Sequence, residues 1–367
     1  MLDEQAILDL IADSQIDSLP EDFDLSAHIQ NAKVKGDHIQ LEILLPFPAE
    51  GIKHVLAEEI ETVICKAWPQ SNKVAIEVKS RITAYETKAG VAPLANIKNI
   101  IAVASGKGGV GKSATSINLA LALQAEGAAV GILDADIYGP SVPIMLGIPD
   151  AKPVSEDKKT IQPLSAHGIE AMSIGFLVDE KQAMVWRGPM ASQAFQQIIR
   201  DTRWGNLDYL IVDLPPGTGD IQLTLSQKIP VTASVIVTTP QDLALADAKK
   251  AVAMFTKVKI PVMGIVENMS THICSNCGHQ EAIFGEGGGK FLSEDYDMPL
   301  LGQLPLAMSI RQQLDDGNPS VAADPNSEIS LTYRKIARNL AANLASLGKD
   351  YSKGADNIAI KTWSPDA

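Results

Sequence analysis

At 367 residues the chain has material for one large domain and a small companion, and its 46% hydrophobic and 20% charged residues are ordinary for a globular protein. A formal charge of −13 argues against a constitutive nucleic-acid binder, which needs a basic stripe to displace counterions. The opening Met1-Leu-Asp-Glu-Gln has no secretory pattern, no stretch approaches the roughly 18 apolar residues of a bilayer span, and three cysteines make no disulfide framework, so the expectation is a cytoplasmic protein without membrane or nucleic-acid partners.

In chain order, Glu4–Ala12 reads as a short helix and His38–Leu45 as a strand; Pro46 and Pro48 break it, 51–68 has a helical pattern and 74–78 alternates as a strand. Residues 1–87 are therefore expected to form a small α+β domain. Residues 88–96 lack periodicity and read as a linker. Beyond it, short β-branched apolar runs at 100–104, 129–133, 209–212, 234–238 and 262–266 predict strands buried on both faces. Helical patterns at 112–126, 190–200, 221–227 and 243–255 separate them. The expected fold is α/β, a mostly parallel sheet sandwiched by helices over 97–348. A last helix at 328–347 carries Leu331, Ile336, Leu340 and Leu344 at helical spacing and reads as a packing helix, while 349–367 read as a flexible tail.

The strongest motif follows the strand at 100–104: Gly106-Lys107-Gly108-Gly109-Val110-Gly111-Lys112-Ser113 satisfies G-x-x-x-x-G-K-[ST] between a strand and a helix. The glycines let backbone N–H groups converge on phosphate oxygens, and the helix beginning at Lys112 adds the positive end of its dipole. Lys112 is expected to reach the β and γ phosphates and Ser113 to ligate Mg²⁺. Lys107 is not needed for the ordinary cradle. The loop resembles the deviant Walker A group, which includes nitrogenase iron protein and the Min and Par ATPases. The resemblance implies that Lys107 reaches the phosphates of a facing subunit, and hence a nucleotide-sandwich homodimer. Ala114 departs from the group, which commonly has a hydroxyl there near the α-phosphate, so a weaker grip on nucleotide is expected.

Asp134 and Asp136 follow the second strand of this region. The resemblance makes Asp136 the residue that positions the attacking water and puts Asp134 near the metal, against a plainer reading of both as turn formers. The run from Tyr209 to Asp213 has the Walker B form, a buried strand ending in a carboxylate that holds Mg²⁺ through water. Gly217 is placed to offer its N–H to the γ-phosphate, and Asp220 reads as an N-cap. Asn268 is expected to pair with an adenine edge, a preference that comes from the resemblance. Residues 239–242 and 303–306 are expected to line the same pocket.

Cys274-Ser-Asn-Cys277-Gly-His279 lies in a stretch without regular periodicity. A C-x-x-C turn converges two thiolates on one metal or cluster iron, and a closed four-coordinate site needs two further ligands. A second chain can supply them, giving a 4Fe–4S cluster on a twofold axis. Zinc held with His272 or His279, a redox pair and ordinary surface cysteines stay open; a thioredoxin-type pair does not fit, since no helix begins here. Cys65, in the 51–68 helix, reads as a core residue.

Taken together, residues 97–347 resemble the Mrp/ApbC family of iron–sulfur cluster carrier ATPases. The marks are the 106–113 loop, Asp134-Ala-Asp136-Ile-Tyr-Gly-Pro-Ser141, Trp186-Arg-Gly-Pro189, Asp213-Leu-Pro-Pro-Gly217-Thr-Gly-Asp220, Glu267-Asn268-Met-Ser and the Cys274/Cys277 pair. Residues 1–87 resemble, more weakly, the small α+β domain fused to many bacterial members. The resemblance implies an ATP-hydrolysing homodimer that takes a cluster from scaffold donors, holds it at the dimer face and passes it to apo iron–sulfur proteins. Two other functions stand beside it: a spatial organiser of the Min/Par kind, and a zinc-stabilised NTPase with another client.

Overall fold

The computed structural model describes residues 3–21, 23–71, 73–87, 91–177, 188–274 and 276–347. The chain begins with α1 (Glu4–Ala12), β1 (Ile29–Lys35), β2 (His38–Leu45), α2 (Lys53–Ala67) and β3 (Lys73–Ser80). β2 is the middle strand, antiparallel to β1 and parallel to β3. Its alternation turns Ile39, Leu41, Ile43 and Leu45 into a core completed by Ile7 and Ile11 of α1 and Leu56, Ile60 and Ile64 of α2. β1 was not legible in the sequence. It is an edge strand, Ile-Gln-Asn-Ala-Lys-Val-Lys, whose inward positions are only half buried. Cys65 is also half-buried rather than core, because it falls one residue off the Ile60–Ile64 stripe.

The larger part continues through β4 (Ile97–Ala104), α3 (Lys112–Ala125), β5 (Val130–Asp134), α4 (Val142–Met145), β6 (Leu164–Ala166), β7 (Ile169–Ser173), α5 (Gly188–Asp201), β8 (Leu207–Asp213), α6 (Asp220–Lys228), β9 (Ala233–Thr238), α7 (Asp242–Lys257) and β10 (Val262–Glu267). Then come β11 (His272–Ile273), β12 (Gln280–Glu281), α8 (Gly288–Tyr296), β13 (Leu300–Gln303), α9 (Met308–Asp315), α10 (Ser320–Ala323) and α11 (Glu328–Ala345). Among the described residues the large sheet has the order β13-β10-β9-β4-β8-β5-β7-β6, parallel throughout except for β6 against β7. β4 is central, and the chain runs first to one side of it and then to the other. This leaves a crevice at the carboxyl ends of the strands, where α/β sheets place their ligands.

The buried strands and long helices fall where the apolar runs predict them. The hairpin β6–β7, the edge strand β13 and the short helices α4, α8, α9 and α10 are too short or too polar to show a period. In α11, Ile336, Leu340 and Leu344 are buried against α3 and β13, but Leu331 is 49% exposed and lies off that face. Gly219 occupies the N-cap of α6 and Asp220 is its first residue, which corrects the capping role expected for Asp220. Trp186 and Arg187, and the tail 349–367, lie outside the described residues.

Residues just outside the strands of the small sheet are bonded to the far ends of the two elements that bracket the 106–113 loop. At the start of β4, Asn99 donates to Thr83 O (2.8 Å) and accepts from Tyr85 N–H (3.1 Å). At the end of α3, Glu126 is fully buried and accepts from Arg334 (2.8 Å), Arg338 (2.6 Å) and Gly51 N–H (2.9 Å). A carboxylate at a helix C-terminus opposes the helix dipole, so the two guanidinium groups are required there. Replacing Glu126 by Ala leaves those cations facing each other. The expected loss is about 3 kcal/mol in urea unfolding, with the 1–87 segment released first in hydrogen exchange.

Candidate functional site

The 106–113 loop connects β4 to α3 at the centre of the sheet. Gly106 lies against the backbone of α7: a Cβ there would stand 2.2 Å from the carbonyl carbon and oxygen of Asp247. Gly111 has φ +80° and touches the Asn268 side chain, where a Cβ would stand 2.1 Å from Nδ2. Asn268 donates to Val110 O (2.9 Å), so the residue that follows β10 closes down on the loop. Gly108 and Gly109 meet no such crowding. Replacing Gly106 by Ala is expected to displace the loop from α7 and weaken nucleotide binding by roughly tenfold or more, read by titration with a fluorescent nucleotide.

The carboxyl ends of β5 and β8 bring acids to the same place, since Asp134 pairs with Asp213 in strand register. Asp213 is 0% exposed. Its Oδ1 accepts from Lys112 Nζ at 2.6 Å and from Ser116 Oγ at 2.6 Å, while its Oδ2 is buried with no hydrogen-bond partner. An orphaned carboxylate oxygen beside the lysine and hydroxyl of a phosphate loop fits a hydrated divalent cation. Ser113 Oγ lies 3.2 Å from Lys112 Nζ, so the donors gathered here fit a Mg²⁺–nucleotide site.

Asp134 behaves differently. Its carboxylate accepts from the N–H groups of Asp136 (3.0 Å) and Val142 (3.2 Å) and from Ser173 Oγ (3.0 Å), so it builds the turn after β5. Burial, and then the charge of Asp213, push its carboxyl up to about 7. Burial also raises Asp136, which is half-buried beside Lys112. An acid raised in the fold and ordinary when unfolded binds its proton more tightly in the native state. The ionised form therefore destabilises the fold increasingly from about pH 4 to pH 7, then by a constant amount. Asn at 134 removes that term. The melting-temperature difference between Asp134→Asn and the unaltered chain should shift in favour of Asn as pH rises from 5 to 7, and level off by pH 8.

Other expected residues are held in place by the chain itself. Lys107 Nζ is 3.3 Å from Gln241 Oε1, which puts Gln241 at the loop lysine. Gly217, with φ +98°, donates its N–H to Ser105 O (3.0 Å), a bond that must break before the group can meet a phosphate. Sequence reading passed over Ser116, although a hydroxyl four residues after the loop lysine shares its helix face. It also passed over the structural part of Glu267, a buried carboxylate bonded to Gly289 N–H and Gln303. Glu267, Ser270, Ile273, Gln303 and Pro305 line a cleft of about 340 Å³.

From Asn268 the chain reaches Cys274 in six residues, pinned on the way by Ser270 N–H to Leu304 O (3.0 Å) and Leu306 N–H to Thr271 O (2.8 Å). β11 and β12, two residues each, form a small hairpin around the cysteine turn, where a loop without strands was expected. Gly278 at φ +72° lets the turn close, with Gly278 N–H donating to Cys274 O (2.9 Å) and Cys274 N–H to His279 O (2.9 Å). The backbone N–H groups of Asn276 and Cys277, with the Cys277 thiol, hold the Cys274 thiol below its ordinary value. Cys274 is half-buried and Cys277 exposed. Among the described residues no three His, Cys, Asp or Glu gather as a metal site, and no helix is long and apolar enough to cross a membrane.

A phosphate loop at the centre of a mostly parallel sheet, with a buried acid ending the neighbouring strand, defines a P-loop NTPase. The family model described as ParA, NUBPL iron-transfer P-loop NTPase, matches residues 96–341. An iron-sulfur cluster carrier protein of Haemophilus influenzae is 49% identical over 341 residues, covering 93% of this chain and 92% of that one. The chain belongs to this family of iron-transfer P-loop NTPases and iron–sulfur cluster carriers. A nucleotide-binding protein of Archaeoglobus fulgidus, solved in complex with ADP, superposes with a TM-score of 0.54 at 39% identity over 60% of this chain and 87% of its own. The cell-division ATPase MinD of Pyrococcus furiosus shares the fold, with a TM-score of 0.51 at 21% identity over 66% of this chain and 98% of its own.

Proposed function

We propose that this protein is an ATP-hydrolysing, cytoplasmic homodimer that carries a 4Fe–4S cluster between its two copies and delivers it from scaffold donors to apo iron–sulfur proteins. The observation that carries the reading is the pairing, in one chain, of a phosphate loop with a short pinned path to an accessible two-thiolate turn. Two ligands are half of a tetrahedral site, and a twofold axis supplies the other half. The hairpin presents Cys277 to solvent and its N–H groups favour thiolate at Cys274, as a ligand to cluster iron requires. Residues 1–87 form the small domain, 88–96 the linker, 97–348 the ATPase domain and 349–367 a tail.

In this reading Lys112 binds the β and γ phosphates, Ser113 and Asp213 hold Mg²⁺, and Asp136 orients the attacking water. The metal supplies charge neutralisation for the transferred phosphoryl group. Asn268 gives its Nδ2 to Val110 O, so its Oδ1 is the atom that can accept from an adenine amino group. Lys107 exchanges its bond to Gln241 for the phosphates of the facing subunit. Because Asn268 touches the loop and lies six residues before Cys274, a change in loop state shifts the cysteine hairpin. The Archaeoglobus relative, held with ADP, supports the nucleotide half of this account. The likeness to MinD concerns the fold alone and favours no membrane role.

Two measurements test it. Anaerobic reconstitution should load about two iron and two sulfide per chain, and Cys274→Ala or Cys277→Ala should abolish the visible cluster absorption while sparing nucleotide binding. A Cys274→Ala protein with the full complement of iron and sulfide, or zinc in place of both, contradicts the assignment. Lys107→Gln should keep nucleotide affinity within about threefold yet lower hydrolysis by roughly a hundredfold or more, as loss of a trans-acting cation does.

A further inference from the structure

We infer that Ser116 is a positioning residue for the metal-binding carboxylate: its hydroxyl keeps Asp213 aimed when Lys112 turns to the phosphates. This rests on the nucleotide-binding half of the proposal above and goes beyond it in naming a residue outside the phosphate-loop motif.

Ser116 lies on α3 one turn after Lys112 and is 0% exposed. Its single hydroxyl proton has two acceptors within reach, Lys112 O at 3.0 Å and Asp213 Oδ1 at 2.6 Å. A buried helical serine can satisfy itself on the carbonyl four residues back. Here the shorter approach is to the carboxylate, the geometry of a charge-assisted bond. Both donors to Asp213, Lys112 Nζ and Ser116 Oγ, sit on Oδ1. The second oxygen is buried and unpartnered. The carboxylate is thus held by one oxygen with the other left for a ligand outside the protein.

Lys112 has two duties that compete, since the same ammonium that neutralises Asp213 is the one the loop offers to phosphate. An ammonium on a four-carbon stem can move between them. A hydroxyl on a short, buried side chain keeps its oxygen within reach of the carboxylate, which is a better acceptor than the Lys112 carbonyl. Once the lysine departs, Ser116 is the donor that remains to fix the direction of the Asp213 carboxylate. Without it the carboxylate loses its orientation and a charge-assisted bond at the moment the metal has to be held, and the loss falls on the metal rather than on the phosphates. Removing one such bond changes an equilibrium by about tenfold.

The test uses the full chain, unaltered and as Ser116→Ala. Ser116→Cys serves as a second variant that keeps a side chain of similar shape but offers only a weak S–H donor. Affinity for a fluorescent ADP analogue is measured in EDTA, and Mn²⁺ affinity of the nucleotide complex is measured by electron paramagnetic resonance. Both variants should keep nucleotide affinity in EDTA within about twofold and weaken Mn²⁺ binding by about tenfold. Unchanged Mn²⁺ affinity in the variants overturns the inference, as does an equal loss with and without metal, which would mean that Ser116 serves the loop or the fold in general. An unaltered chain that binds no nucleotide contradicts the parent proposal instead.

Discussion

One buried carboxylate organises the functional half of this molecule. Asp213 ends β8 beside the central strand, wholly out of solvent, and an ion so placed is tolerated only with partners that replace water. Lys112 and Ser116 provide them from the first turn and a half of α3, so the helix that carries the phosphate loop is docked against the neighbouring strand by charge. The rest of the site follows. The loop must turn tightly enough to deliver Lys112, which puts Gly111 in a left-handed conformation and Gly106 against α7. Asp134, one strand further, is raised by burial and then by Asp213, while the N–H groups of Asp136 and Val142 that it accepts from make it the corner of the turn after β5.

The same strand-and-helix unit is gripped at its far end. Asn99 at the start of β4 and Glu126 at the end of α3 bond to Thr83, Tyr85 and Gly51, residues just outside the strands of the small N-terminal sheet. On the opposite side, β10 runs out under the loop as Asn268 and continues through two backbone bonds into the cysteine hairpin. Phosphate loop, cysteine turn and small sheet are therefore linked by short, well-bonded segments rather than by long loops.

Much of this was legible in the residues. The 106–113 motif, the continuous apolar strands and the acid at the end of β8 each follow from a local rule, and each stands where that rule puts it. What escaped depends on partners distant in sequence. β1 has an edge strand's mixed composition and acquires meaning only beside β2. Leu331 fits the helical period of α11 but falls outside the face that α3 and β13 cover. Cys65 was placed in the core by its helix, yet burial there is decided by a one-residue offset. Ser116 is an ordinary helical serine until Asp213, 97 residues later, is brought against it.

In the proposed function two half-sites are joined, a loop and a cysteine turn, each of which a second copy of the chain would complete. Native mass spectrometry of anaerobically loaded protein tests this most directly. It should find the mass of four iron and four sulfide on a two-chain species, and on that species alone, with the mass lost from the Cys277→Ala protein. A cluster retained on single chains, or a two-chain species carrying only zinc, would contradict it.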